Sequence, residues 1–343
     1  MYYQKESDRE SLRIGAIVEK GLQGQGLEEH EILSLYKVNP ESSLASLICW
    51  AGRQLQMKLC DGKAEVHAQI GLNSTTCPHN CKFCSFAACN TVREKGKYEM
   101  PLDEVIENAK ILTDAGANLL LLLATGTYPM EKAYEAVAAV REVIDDDMPL
   151  LVNFDDMTKE NVQELHKAGA NGAYHAIRMR EGVDTNLSVE SRWETIHNLV
   201  DEGMSISTCV EPIGPETTPE ELTEATLRCM SYPNNSAGCG RRITVPGTAV
   251  ADRGELSDYA NAKNVAIYRL AAGHRPMLNC AASTAVSAAA GANLAWAEMG
   301  SNPRDTVKKT EEGGRGVSVA TYQRVLKAAG YEILDGYSKG WIL

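Results

Sequence analysis

Four of the ten cysteines in this 343-residue chain fall within residues 75–90, TTCPHNCKFCSFAACN. Three of them, Cys77, Cys81 and Cys84, are spaced C-x3-C-x2-C. Thiolates this close in sequence can share one metal centre, and three make an incomplete ligand set. A structural zinc site wants four closed ligands. His79 and Cys89, the nearest candidates for a fourth, lack finger-type spacing. A ferredoxin-type cluster also takes a fourth cysteine, generally in a C-x2-C-x2-C run. Three thiols on a four-iron cluster would leave one iron open to a substrate or cofactor, as catalysis requires. The spacing therefore leaves two readings, an open iron–sulfur cluster or a structural zinc loop closed by Cys89. Pro78 and Asn80 suit a loop wrapped around such a centre, since both are poor strand and helix formers.

A loop of this kind must be held by regular elements. From about residue 65, short apolar runs alternate with helical patterns. The runs at 65–72, 118–124, 149–154, 172–177, 204–210, 242–246, 277–281 and 293–297 read as strands. Amphipathic helices are expected at 102–115, 131–144, 159–168, 190–202, 219–230 and 259–272. Thr217-Thr218-Pro219-Glu220-Glu221 reads as a cap, a first-turn proline and an acidic helix start. Gly116, Gly169, Gly203 and Gly273 each follow a helical pattern and suit a helix C-terminus. Eight β units with helical crossovers predict an α/β fold, a (β/α)8 TIM-type barrel of ~250 residues. No convincing Gly-rich dinucleotide loop supports the alternative, an open doubly wound sheet. Helical patterns at 28–35 and 44–59 precede the first strand with no low-complexity linker. The expected organisation is an N-terminal helical extension, 1–64, packed on a barrel, 65–343. Cys77 follows the first strand and so falls at the C-terminal face, where barrel enzymes keep their chemistry.

Composition narrows the partners. Thirty-four Lys and Arg against 46 Asp and Glu give a net charge of −12. That field repels phosphate backbones, and no basic run offsets it, so nucleic acid is excluded as a partner. No segment approaches the roughly 20 apolar residues of a membrane span, and the polar start, MYYQKESDRE, has no signal-peptide core. A cytoplasmic location is the expectation. In that reducing compartment cysteines are free, metal-bound or catalytic rather than paired.

The C-x3-C-x2-C spacing, with Phe83 just before the third cysteine and a strand just before the loop, resembles the radical S-adenosylmethionine superfamily. The resemblance implies a [4Fe–4S] cluster on Cys77, Cys81 and Cys84, with S-adenosyl-L-methionine on the open iron. It implies reductive cleavage of that cofactor to a 5′-deoxyadenosyl radical, which takes a hydrogen atom from a small molecule. It also implies an electron donor such as flavodoxin or ferredoxin. Further segments match the subgroup holding biotin synthase, the hydrogenase-maturation barrel enzyme and methylornithine synthase, over about residues 40–335. TVPGTAVAD, 244–252, resembles the segment that packs on the adenine, which implicates Val245, Gly247 and Thr248. Arg192 stands where the subgroup keeps an arginine for the cofactor carboxylate, a task suited to a bidentate fork. LLLATGTYP, 121–129, falls where the family receives the methionyl amino group, which implicates Ala124, Thr125 and Gly126, although the usual two-glycine form is absent. CVEPIGPE, 209–216, and GANLAWAEMGSNPRD, 291–305, are looser matches.

Departures from the subgroup bear on the reaction. Biotin synthase holds a second, sacrificial cluster on three cysteines and an arginine from separate strands. Here the second and third strands carry no cysteine, and only Cys209 and Cys280 could point inward. Sulfur insertion with a second cluster is therefore the alternative reading, behind rearrangement, cleavage or cofactor biosynthesis with one cluster. A non-catalytic iron–sulfur or zinc protein is the further alternative. The run His175-Ala176-Ile177-Arg178 replaces the polar residue expected to hold the ribose. Strand alternation puts Asn153, Asp155, His175 or Arg178, and Glu211 forward as substrate residues, with Asn279 as a further candidate, although only one of Asn279 and Cys280 can point in. An inward Asp155, Glu211 and Arg178 would suit a small polar or zwitterionic substrate, since buried charges need partners. Cys209 and Cys280 are either small core residues or catalytic thiols, as hydrogen donors or second-cluster ligands. Cys49, Cys60, Cys229 and Cys239 show no pair spacing and read as structural.

Overall fold

The computed structural model describes residues 2–90, 92, 98–281 and 283–341, with residues 2–7 as backbone only. Its strands are β1 (Lys63–Gly71), β2 (Leu119–Leu123), β3 (Leu150–Asn153), β4 (Gly172–Tyr174), β5 (Ser205–Ser207), β6 (Val210–Ile213), β7 (Ser236–Arg241), β8 (Leu278–Cys280), β9 (Leu294–Gly300) and β10 (Glu332–Ile333). The helices are α1 (Tyr2–Leu22), α2 (Glu29–Tyr36), α3 (Ser43–Leu59), α4 (Leu102–Asp114), α5 (Met130–Arg141), α6 (Lys159–Lys167), α7 (Val189–Asp201), α8 (Pro219–Met230), α9 (Asp258–Ala272), α10 (Ala285–Ala289) and α11 (Val319–Ala328).

Eight strands pair in parallel in the order β9-β1-β2-β3-β4-β5-β7-β8. Among the described residues, no ladder joins β8 to β9. The backbone N–H of Asn293 donates to Asn279 O at 3.0 Å, and that of Asn279 donates to Asn293 Oδ1 at 2.8 Å. The fold is thus the expected α/β barrel, with one seam fastened by two asparagines. Parallel strands covered on both faces read as continuous apolar runs, and β2 is five buried leucines. The helix-start signal at Thr218 also holds: Thr218 Oγ1 accepts from Glu221 N at 3.2 Å, and Glu221 Oε2 accepts from Thr218 N at 2.9 Å. Such a cap contributes about 1 kcal/mol.

Three strand expectations need correction. The sixth barrel strand is 236–241, SAGCGR, and 242–246 lies in the loop beyond it. Glycine is a poor strand former, so the segment carries no apolar signal. It is required here: a Cβ on Gly238 would lie 1.9 Å from Cys280 O on the neighbouring strand. The expected strand 204–210 breaks at Thr208-Cys209 into β5 and β6, and 172–177 pairs only over β4. α1, α10, α11 and β10 lie outside the sequence reading.

α1, α2 and α3 share one apolar core with the barrel, joining Ile14, Ile32, Leu35 and Ile48 to Val66, Ile70 and Val265. Gly52 lets α3 lie on α9, since a Cβ there would come within 2.7 Å of Ala266 Cα. At the C-terminus of α2, Lys263 Nζ donates to the carbonyls of Tyr36 and Val38 at 2.9 and 2.7 Å, a favourable place for a cation.

Inside the barrel, Leu119, Leu151, Leu278, Leu294 and Trp341 form a second apolar cluster. Trp341 closes the end where the strands begin. Its ring N–H donates to Ser338 Oγ at 2.9 Å, and its carbonyl accepts from Ser205 Oγ at 3.3 Å. His67 meets the Trp296 and Trp341 rings edge-on, at centroid distances of 5.0 and 5.9 Å.

Candidate functional site

The strands' other ends open on a cavity of about 290 Å³. Its wall includes Cys77, Cys81 and Cys84, carried by the loop after β1. Local geometry folds this loop. Asn80 takes a left-handed conformation, φ 51°, which asparagine tolerates better than most residues. Its side chain accepts from Cys89 N at 2.8 Å. Cys77 N donates to Phe86 O and Cys84 N to Cys81 O, both at 2.9 Å.

Distant groups then pin the loop. His79 Nε2 meets Asp155 Oδ1 at 2.7 Å, and Lys82 Nζ meets Asp184 Oδ1 at 2.9 Å. Gly126 makes room for the first contact, since a Cβ there would lie 2.3 Å from His79 Nε2. Asn90 donates to Cys84 O at 2.7 Å and accepts from Ala249 N at 3.0 Å, tying the loop to the 244–252 segment. Thr125 N donates to Asn73 Oδ1 at 2.9 Å.

The donor set suits an iron–sulfur cluster. Thiolates are the ligands such clusters use, and Phe86 N donates to Cys84 Sγ at 3.4 Å. Burial pushes the Cys77 thiol up, with the backbone of His79 and Gly126 opposing. Among the described residues, no three His, Cys, Asp or Glu side chains gather as one ion would need. Cys89 is exposed, with its Sγ 3.7 Å from Asn80 O, and is not a cavity residue. Burial pushes the free thiols up, Cys81 to about 11 and Cys84 to about 12, so metal loading must displace their protons.

Of the cofactor residues read from the sequence, Phe83, Ala124, Thr125, Gly126 and Arg192 line the cavity. Arg192 Nη1 meets Asp156 Oδ1 at 3.1 Å, while its buried Nε has no hydrogen-bond partner among the described residues. Burial and the neighbouring Arg178 charge lower its pKa, with Asp156 and Glu181 opposing. Val245, Gly247 and Thr248 lie outside the cavity wall, next to the cysteine loop, where a Cβ on Gly247 would stand 3.4 Å from Val92.

Of the substrate candidates, Asn153, Asp155, Arg178 and Glu211 line the cavity, as do Cys209 and Cys280. Arg178 Nε lies 3.9 Å from Glu211 Oε1, and the Tyr174 hydroxyl donates to the same oxygen. Burial works against the Arg178 charge, but Glu211, Tyr174, Glu181 and Cys81 outweigh it and hold its pKa above the ordinary value. Burial and Glu211 push the Tyr174 phenol well up, so it donates rather than ionises. His175 and Asn279 stand elsewhere. His175 is buried beneath Arg192, 3.4 Å from Nη1, and burial with Arg192 and Arg178 pushes its pKa well down, leaving it neutral. Asn279 turns toward α9, donating to Val265 O at 3.3 Å and Gly291 O at 3.0 Å.

Several wall residues lie outside the sequence reading. Gln69 Nε2 donates to Glu298 Oε1 at 3.0 Å, and Arg304 pairs with the same carboxylate. Arg242 forks onto Glu216 at 2.5 and 3.1 Å. A signal for Gln69 and Glu298 exists. In KAEVHAQIG the even positions 64–70 are apolar and the odd positions 65, 67 and 69 are polar; Trp296 and Glu298 alternate likewise. That period places the polar set inside the barrel.

The fold and site define an α/β barrel with a three-thiol loop at its open end. The family model described as "Radical SAM superfamily" matches residues 74–229. Curated biotin synthases are among the relatives. That of Parafrankia sp. (strain EAN1pec) is 25% identical over 264 residues, 73% of this chain and 70% of the relative. That of Mycobacterium avium (strain 104) is 26% identical over 256 residues, 72% of each. Two solved structures share the fold. Methylornithine synthase (PylB) has a TM-score of 0.74 at 17% identity, over 93% of this chain and 97% of that one. The FeFe-hydrogenase maturase HydG from Carboxydothermus hydrogenoformans has 0.76 at 16%, over 96% and 81%. Residues 74–229 carry a radical SAM domain, and with the biotin synthase relatives this indicates a radical S-adenosylmethionine enzyme that uses a [4Fe–4S] cluster. That domain speaks against the non-catalytic iron–sulfur or zinc alternative. Among the described residues, no helix is long and apolar enough to cross a membrane.

Proposed function

We propose that Cys77, Cys81 and Cys84 hold the cluster, and that the enzyme opens a hydrogen-abstraction reaction on a small polar molecule bound deeper in the same cavity. When bound there, the cluster and S-adenosylmethionine supply a 5′-deoxyadenosyl radical. Phe83, Ala124, Thr125, Gly126 and the Arg192 fork line the cofactor's place, with Val245, Gly247 and Thr248 behind the loop. One observation carries the reading: the three cysteines and two carboxylate–guanidinium sets, Arg178–Glu211 and Arg304–Glu298, share one cavity. A substrate carrying both an anionic and a cationic group can exchange partners with either set, so neither buried charge loses its counter-ion. The walls exclude bulk water and side reactions from the bound substrate. An external one-electron donor of the flavodoxin or ferredoxin kind completes the system in the cytoplasm, and 1–64 acts as a helical buttress for the barrel, 65–343.

The test is chemical analysis of anaerobically reconstituted protein. About four irons and four sulfides per chain, a spectrum altered by S-adenosylmethionine, and loss of both in Cys77→Ala are expected. Full cluster content in Cys77→Ala would refute the assignment. Similarity to biotin synthases favours a second reading, sulfur insertion, and clearly more than four irons would move the assignment to it. The thiols lining the cavity beyond the loop are Cys209 and Cys280, short of the three cysteines that reading needs.

A further inference from the structure

Cys209 follows β5 and Cys280 ends β8, with β7 between them. Gly238 of β7 is in register with Cys280. Alternation turns Gly238 and Gly240 inward and Cys239 outward, toward Tyr36. A Cβ on Gly240 would stand 3.5 Å from Cys209 Sγ, and one on Gly238 would meet the backbone of Cys280. With no side chain at either inward position, the strand between them places no side chain between Cys209 and Cys280. Cys209 Sγ also lies 3.3 Å from Gly238 O. Both residues are buried and both line the cavity that the cysteine loop walls. Plain core cysteines need no shared opening onto a cavity and no side-chain-free strand between them. The neighbouring Cys280, together with burial, pushes the Cys209 thiol well up. It therefore carries its proton at neutral pH, unlike a nucleophile or a metal ligand.

We propose that the Cys209–Cys280 thiol pair delivers the hydrogen atom that ends the radical reaction. This rests on the function proposed above. One S–H bond breaks and one C–H bond forms, so the product leaves with all electrons paired and the unpaired electron remains on sulfur. An S–H bond is weaker than an alkyl C–H bond, which sets the direction. Hydrogen transfer between the neighbouring thiols moves the unpaired electron from one sulfur to the other without changing bond types. One electron from the low-potential donor that cofactor cleavage already uses, with one proton from water, restores the thiol. 5′-Deoxyadenosine then keeps the hydrogen taken from the substrate. S-adenosylmethionine is therefore consumed once per turnover, and the product gains one hydrogen of solvent origin.

The test needs no substrate. In D2O the thiols exchange to S–D. Reconstituted enzyme given S-adenosylmethionine and dithionite alone should yield 5′-deoxyadenosine whose deuterium content, per molecule formed, is read by mass spectrometry. Enrichment in the native enzyme should fall severalfold in the double variant Cys209→Ser/Cys280→Ser, because an O–H bond is too strong to give up a hydrogen atom. Cys209→Ala/Cys280→Ala gives the same reading should buried serines unfold the chain. Undiminished deuterium per molecule in these variants overturns the proposal. Diamide treatment of the full chain provides a readout independent of turnover. It removes two hydrogens from an adjacent dithiol, so peptide mass spectrometry should find a Cys209–Cys280 disulfide; two unlinked thiols overturn the pairing. A native enzyme that yields no 5′-deoxyadenosine refutes the function proposed above, while the diamide result still decides the pair.

Discussion

Where the strands begin, Leu119, Leu151, Leu278 and Leu294 pack around Trp341, and the ring is almost fully buried. Where they end, the cavity holds three half-buried thiols and carboxylate–guanidinium pairs. One end removes apolar surface from water and so contributes stability. The other gathers charges and thiols whose burial costs free energy unless partners are supplied. Stability and chemistry are thus assigned to opposite ends of one barrel, which lets the loops at the open end vary while the plugged end holds the fold.

The largest effect that separates the two ends is expected from Cys81→Ser. Iron content should fall to background, yet the urea midpoint should match that of cluster-free native protein to within about 0.5 kcal/mol. A large midpoint shift would show that the open end also carries the fold. Trp341→Ala is the converse. Removing a fully buried tryptophan costs about 3–5 kcal/mol, read as a lowered urea midpoint, whereas iron per folded chain should hold. Loss of iron at temperatures where the chain stays folded would break the comparison.

His79→Ala is expected to act within the open end. The contact with Asp155 fixes the loop between the first two cysteines, and removing a group that orients metal ligands lowers affinity roughly tenfold. Chelator competition measures this, and Asp155→Asn should give a similar loss because the two groups act as one pair. Unequal losses would mean that Asp155 has a second task at the cavity wall.

Much of the plugged end and the cysteine loop is legible in the sequence, and the reasons are local. Five consecutive leucines form a run of strand length that suits burial on both faces, the 218–221 capping box announces α8, and C-x3-C-x2-C marks the loop. β7 is illegible because its glycines serve a close approach to β8 rather than an apolar face. Trp341 is illegible as a plug because its partners lie far from it in sequence. The Arg178–Glu211 pair is only partly within reach of strand alternation, which offers His175 or Arg178 opposite Glu211. Gln69 and Glu298 were equally readable from alternation, but their hydrogen bond joins positions 229 residues apart, and no local period encodes partner choice.

The smallest effect is expected where loop and barrel meet without a charge. Asn90 donates to Cys84 O and accepts from Ala249 N, so its amide couples the cysteine loop to the 244–252 segment. Asn90→Ala removes both bonds. A hydrogen bond of this kind contributes about 1 kcal/mol net, a factor of about five in an equilibrium constant. Because the bonds join two segments rather than ligand to metal, the loss should appear in S-adenosylmethionine affinity, read by titrating the cluster's spectrum, more than in iron retention. Equal loss of iron would make Asn90 a support of the cluster loop alone, and the 244–252 segment would then have to be held against the cavity by other contacts.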